Sequence, residues 1–169
     1  MSIILCGFQG IGKTYFGKIA SCTLRVPFFD VDEEMLKNNN EVCVRSLSLR
    51  LGEPEFRRQE VAVVLQLMEK KNCLIALGGG SLTNEVSQKA IQESVMRGGV
   101  LLYLYQDQVI LQKKLLERSL PTYLKDPFDS FRKLFVERHA VFSRLACEVI
   151  VVDQHTNDEV IERICAYGK

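Results

Sequence analysis

Five short runs of apolar, β-favouring residues punctuate the chain: SIILC at 2–6, VPFFDV at 26–31, CLIAL at 73–77, VLLYL at 100–104 and EVIVV at 148–152. Their apolar positions are continuous rather than alternating, the pattern of strands buried on both faces. Around them the spacing changes to that of amphipathic helices, over 13–24, 54–71, 84–96, 107–118, 128–145 and 156–167. Strand alternating with helix predicts an α/β fold of three layers, a five-stranded parallel sheet flanked by helices on both faces. Two connections exceed what a crossover needs, one over about 32–52 and one over about 117–127. Extra length in such folds usually carries function. The second holds SLPTYL and KDPF, whose prolines break helix on each side, and reads as a lid. The NNN at 38–40 reads as a helix end or turn.

At 169 residues and 47% hydrophobic content, the chain suits one compact domain, 1–169, rather than two with a linker. Charge narrows the partners: 22 Lys plus Arg against 21 Asp plus Glu leave no positive field for nucleic acid, and no basic, aromatic surface pattern is evident. A small charged ligand held locally fits better. Six cysteines sit mostly in apolar segments without zinc-type spacing, and read as buried thiols in a reducing compartment. No signal-type region and no apolar stretch of about 18 residues is present, so the expectation is a cytoplasmic protein with no membrane partner.

The first bend is the strongest chemical signal. Gly7–Thr14, GFQGIGKT, matches G-x-x-x-x-G-K-[ST], after one strand and opening a helix. Gly7, Gly10 and Gly12 let successive N–H groups wrap phosphate oxygens at the positive end of the helix. Lys13 would reach the β and γ phosphates and the Thr14 hydroxyl would coordinate magnesium. Gly7, Gly10, Ile11, Gly12, Lys13, Thr14 and Tyr15 form the expected nucleotide-binding set.

Three further stretches carry chemistry. In FFDVDEE, Asp30 and Asp32 point to one side if the second strand persists, facing the crevice beyond the strand ends. One carboxylate could then serve the metal and the other accept a proton from a substrate hydroxyl; decoration of a helix N-terminus is the competing account. GEPEFRRQE at 52–60 places Pro in a first helical turn, followed by Arg57 and Arg58 pointing in different directions. An inward guanidinium suits a carboxylate bidentately, although on its own the pair fits a solvated face better. ALGGGS at 76–81 puts three glycines at a strand's end, where a ligand can lie against backbone or the chain can simply turn.

Taken together, GFQGIGKT, FFDVD, GEPEFRRQE and LGGGS, in this order and spacing, resemble the shikimate kinases over essentially the whole chain. The resemblance implies a P-loop kinase fold like that of nucleoside monophosphate kinases, with a substrate-binding segment over about 32–60 and a lid over about 117–127. It implies ATP as co-substrate, Mg²⁺ as cofactor, and phosphoryl transfer from ATP to the 3-hydroxyl of shikimate by a monomer. Carried over by position, Thr14 and Asp30 would serve the metal, and Asp32 would contact the ring hydroxyls and act as base. Arg57 and Arg138 would bind the substrate carboxylate, and Gly78, Gly79 and Gly80 would line the pocket. Lys13, Asp32 and Arg118 are the expected catalytic set. Arg118 enters because the family's lid carries an Arg directly before a Pro, where this chain has Leu120; Lys114 and Lys125 are the alternatives. After Arg138, Ala140 and Phe142 stand where the family has Pro and Tyr. Adenine is expected between Lys113–Lys114 and the loop at Asp153–Asn157, and His139 and His155 are read as ordinary helix and loop residues. The competing functions are a kinase for another hydroxylated acid such as gluconate, and a nucleotide-binding regulatory module without transfer.

Overall fold

The computed structural model describes residues 1–117 and 129–168. Its strands are β1 (Ile3–Cys6), β2 (Phe28–Asp30), β3 (Leu74–Ala76), β4 (Val100–Tyr105) and β5 (Glu148–Val151). Every pairing is parallel and the order is β2-β3-β1-β4-β5. The chain thus steps outward from β1 to one side and later returns to the other. That reversal opens a crevice at the carboxyl ends of the central strands.

Alternation along each strand sorts its side chains into two cores. Ile4, Cys6, Ile75, Leu101 and Tyr103 face one layer, with the helices α2 (Val31–Asn39), α4 (Glu53–Met68), α5 (Glu85–Met96) and α7 (Asp129–Leu145). Ile3, Leu5, Leu74, Leu102 and Leu104 face the other, with α1 (Lys13–Leu24) and α8 (Asn157–Ala166). Two shorter helices, α3 (Val44–Leu51) and α6 (Gln108–Glu117), complete the described elements. Local chemistry sets several boundaries: Asn84 caps α5 through its side chain, and Thr156 and Glu159 form a reciprocal capping box on α8. Among the described residues no helix is long and apolar enough to cross a membrane.

The long connection at 32–52 holds two helices, α2 and α3, the first ended by Asn40 in the left-handed conformation at φ 52. Three expectations change. The helix expected to run to 71 stops at Met68, before the turn that holds Asn72 at φ 52. The second strand ends at Asp30, so Asp32 does not share its face by strand alternation. Buried thiols describe Cys6, Cys73 and Cys165, whereas Cys22, Cys43 and Cys147 are exposed, because they lie on an outer helical turn, at a helix start and before the edge strand. The lid and Arg118 lie outside the described residues, as does Lys125.

Candidate active site

Register brings the site together. Leu5 and Asp30 both pair with Ala76, so β1, β2 and β3 end level and the loops beyond them meet. The loop after β1 is the phosphate cradle. Gly12 caps α1 with φ 102 and ψ 16, open to glycine but strained for other residues, and no side chain caps the helix N-terminus. At Gly7 a Cβ would stand 2.5 Å from the Leu104 carbonyl oxygen, so only a bare backbone fits beside β4. Lys13 is buried and folds back over the loop, donating to the Gly7 and Phe8 carbonyls at 2.9 Å each. Burial pushes its pKa down, against the attraction of Asp32 and Asp30.

Asp30 ends β2 because its carboxylate caps the next helix. Oδ1 accepts from the Asp32 and Glu33 amides at 2.9 and 3.4 Å, which turns the chain into α2. Oδ2 accepts from the Thr14 hydroxyl at 2.6 Å. The helix-decoration account therefore describes the position of Asp32, Glu33 and Glu34, all in the first turn of α2, and the two carboxylates still meet, because Asp30 is the cap of that same helix. Burial, first, and the Asp30 charge, second, push Asp32 up to about 6, against the pull of Lys13 and Arg57.

The arginine pair splits. Arg58 forks onto Glu55 at the surface, whereas Arg57 turns inward, donating to Glu53 at 2.8 Å and to buried Glu60 at 2.7 Å. The other Glu60 oxygen accepts from the buried Ser81 hydroxyl at 2.9 Å. The three glycines lie among these groups. A Cβ on Gly78 would be 2.6 Å from Glu60 Oε1 and 3.0 Å from Asp32 Oδ1; on Gly79, 3.2 Å from the Gln9 amide and 3.8 Å from Arg138 Nη1; on Gly80, 2.5 Å from Arg57 Nη1. Arg138 comes from α7 and is 6% exposed. Lys13, Asp30, Glu60 and Arg138 are all the charged residues buried within the described part, and they gather in this one place. Charge is costly to bury even when paired, so such a concentration marks a site rather than a core.

Comparison with known proteins agrees with this geometry. The family model for shikimate kinase matches residues 9–167. The chain belongs to the shikimate kinase family. It is similar to the shikimate kinase of Aquifex aeolicus, at 32% identity over 164 residues that cover 97% of this chain and 94% of that protein. The crystal structure of the Aquifex enzyme superposes with a TM-score of 0.82 at 30% identity, covering 99% of this chain and 95% of that one. A shikimate kinase from Acinetobacter baumannii in complex with shikimate reaches 0.85 at 24% identity, covering 96% and 89% of the two chains, and attests the fold. A gluconokinase from Sinorhizobium meliloti shares that fold more distantly, at 0.59 and 14% identity over 99% and 90%. Like its family, the chain is an ATP-dependent phosphotransferase.

In this family member the described site assembles Gly7, Gly10, Gly12, Lys13, Thr14, Asp30, Asp32, Arg57, Gly78, Gly79, Gly80 and Arg138. Ile11 is buried in the core on the α1 side, so only its backbone is available to a nucleotide, and Tyr15 is half exposed on α1. Lys114 donates to Gln106 at 2.9 Å, and Asp153 accepts from the Asp107 amide at 3.5 Å, at the rim expected for adenine. Glu60 and Ser81 join the site without having been expected there. The R-x-x-E spacing hinted at Glu60, because Arg57 and Glu60 are neighbours on a helix; nothing local marks Ser81. His139, on α7, stands 3.1 Å from the hydroxyl of buried Tyr103.

Proposed function

We propose that the chain transfers the γ-phosphoryl group of ATP to the 3-hydroxyl of shikimate, giving shikimate 3-phosphate and ADP, on the route through chorismate to the aromatic amino acids. The observation that carries this reading is the convergence of Arg57, Arg138 and Asp32 on the bare backbone of Gly78–Gly80, one loop away from the phosphate cradle. Two guanidinium groups on one small pocket suit a carboxylate. Asp32, raised to about 6, is mostly ionised at neutral pH yet basic enough to take the proton of the attacking hydroxyl. Lys13 moves from the Gly7 and Phe8 carbonyls to the β and γ phosphates, where its charge offsets the negative charge of the transferring group.

The residues fit magnesium. The Thr14 hydroxyl and the Asp30 carboxylate meet at 2.6 Å beside the cradle, and among the described residues no cluster of three or more acidic, Cys or His ligands exists. The Thr14 hydroxyl and the Asp30 carboxylate are hard oxygen donors that would hold the ion, and it would supply neutralisation of phosphate charge. In the same reading the chain acts as one domain and as a monomer, with a substrate-binding segment over about 32–60 and a lid over about 117–127 that brings Arg118 to the phosphates. A cytoplasmic location suits its six free thiols.

The test is ADP release from ATP and magnesium with shikimate, gluconate or a nucleoside monophosphate as acceptor. Release that depends on shikimate and is abolished by Asp32→Asn, with the fold intact by circular dichroism, supports the reading. Dependence on gluconate instead, or nucleotide binding with no acceptor-dependent turnover, overturns it.

A further inference from the structure

Phe8 lies within the phosphate loop, between Gly7 and Gln9, yet its ring is buried, 3% exposed, and points away from the cradle into α7. It stacks on Phe135 with centroids 4.6 Å apart and planes 16° from parallel, meets Phe142 edge-on at 5.6 Å, and touches Phe131 at 6.3 Å. Phe131, Phe135, Arg138 and Phe142 succeed one another at steps of four, three and four, so they share one face of α7. The socket gripping a residue of the nucleotide loop is therefore built on both sides of Arg138. The backbone of Phe8 faces the other way, its carbonyl accepting from Lys13 Nζ at 2.9 Å. A Lys13 that turned to nucleotide phosphates would leave that carbonyl without this donor. The adjoining Gln9 amide lies against Gly79, the glycine that also faces Arg138.

We propose that Phe8 is a positioning residue that couples the nucleotide and acid sites, its ring tying the arrangement of the phosphate loop to the placement of Arg138. This rests on the functional reading above. Each substrate then favours the arrangement the other needs, and the coupling is reciprocal by linkage. An edge-to-face and stacked aromatic socket suits the task because packed rings shift between discrete seats rather than deforming continuously.

The experiment is calorimetric titration of shikimate, with and without a nonhydrolysable ATP analogue plus magnesium, into the wild type, Phe8→Leu, Phe135→Leu and the double variant. Leucine keeps the site apolar and removes the stack. In the wild type the nucleotide tightens shikimate binding about fivefold or more, within the usual range of coupling between sites. Each single variant brings that ratio to within about twofold of one, and the double variant goes no further, because both changes cut the same connection. If Phe8→Leu fails to fold, Phe135→Leu decides alone. A packing role only would lower Tm and leave the ratio at its wild-type value; that result, or a wild-type ratio near one, overturns the proposal. A wild type that binds no shikimate at all overturns the functional reading and this proposal with it.

Discussion

Gly80→Ala probes the acid site with a single methyl group. Gly80 has φ −108 and ψ −5, a conformation open to alanine, so the backbone carries no strain. The loss of chain freedom in the unfolded state even adds about 0.4–1 kcal/mol of stability. The methyl, however, would stand 2.5 Å from Arg57 Nη1, 3.0 Å from Cζ and 3.1 Å from Nη2, so the guanidinium must leave its place. It can, being the end of a flexible side chain that keeps Glu53 as a partner. The bond to Glu60 at 2.7 Å is then weakened, at a cost of about 1.5–3 kcal/mol for a charged hydrogen bond. The net loss of stability is at most about 2.6 kcal/mol, a fall in Tm under about 10 °C. The contact with the substrate carboxylate is lost in full, and at about 1.5–3 kcal/mol this lowers kcat/KM for shikimate by roughly 10- to 150-fold. Steady-state ADP release at saturating ATP, with shikimate varied, reads this as a rise in KM while KM for ATP holds. An unchanged KM for shikimate in a folded variant would refute the assignment of Arg57 to the acid.

Asp32 links activity to pH: kcat/KM rises as pH passes through about 6, where the carboxyl ionises, then levels. Its raised pKa also makes the folded state bind a proton more readily than the unfolded one, so the ionised group lowers stability as pH climbs from about 4 past about 6. Asp32→Asn should therefore be inactive yet melt above the wild type at pH 7, the gap closing below about pH 4; a lower Tm at neutral pH would contradict this. Ser81→Ala strips buried Glu60 of one partner and should cost about 1–3 kcal/mol in denaturant unfolding, with a raised KM for shikimate; no change in either would remove Ser81 from the site. Arg118→Ala should slow turnover by about a thousandfold or more if Arg118 stabilises the transferring phosphoryl group, and unchanged turnover would shift that role to Lys114 or Lys125.

Local patterns carried most of the fold and half of the site. The five apolar runs became the five strands because a strand covered on both faces needs no alternation, and the glycine-lysine bend was legible because only glycine tolerates Gly12's backbone at φ 102. The divergence of Arg57 and Arg58 comes from helical spacing alone. What chain order could not express were relations between distant segments. Whether β2 continued through Asp32 depended on Asp30 capping α2, and the level ends of β1, β2 and β3 depended on a register such as that of Leu5 with Ala76, far apart in the chain. The partnership of Glu60 with Ser81, the burial of Arg138 beside the glycine run and the seating of Phe8 in α7 have the same origin. A sequence states the period and turn chemistry of each segment, which are short-range properties; which faces meet, and which charges they bury, is decided only when the sheet closes its layers and excludes water.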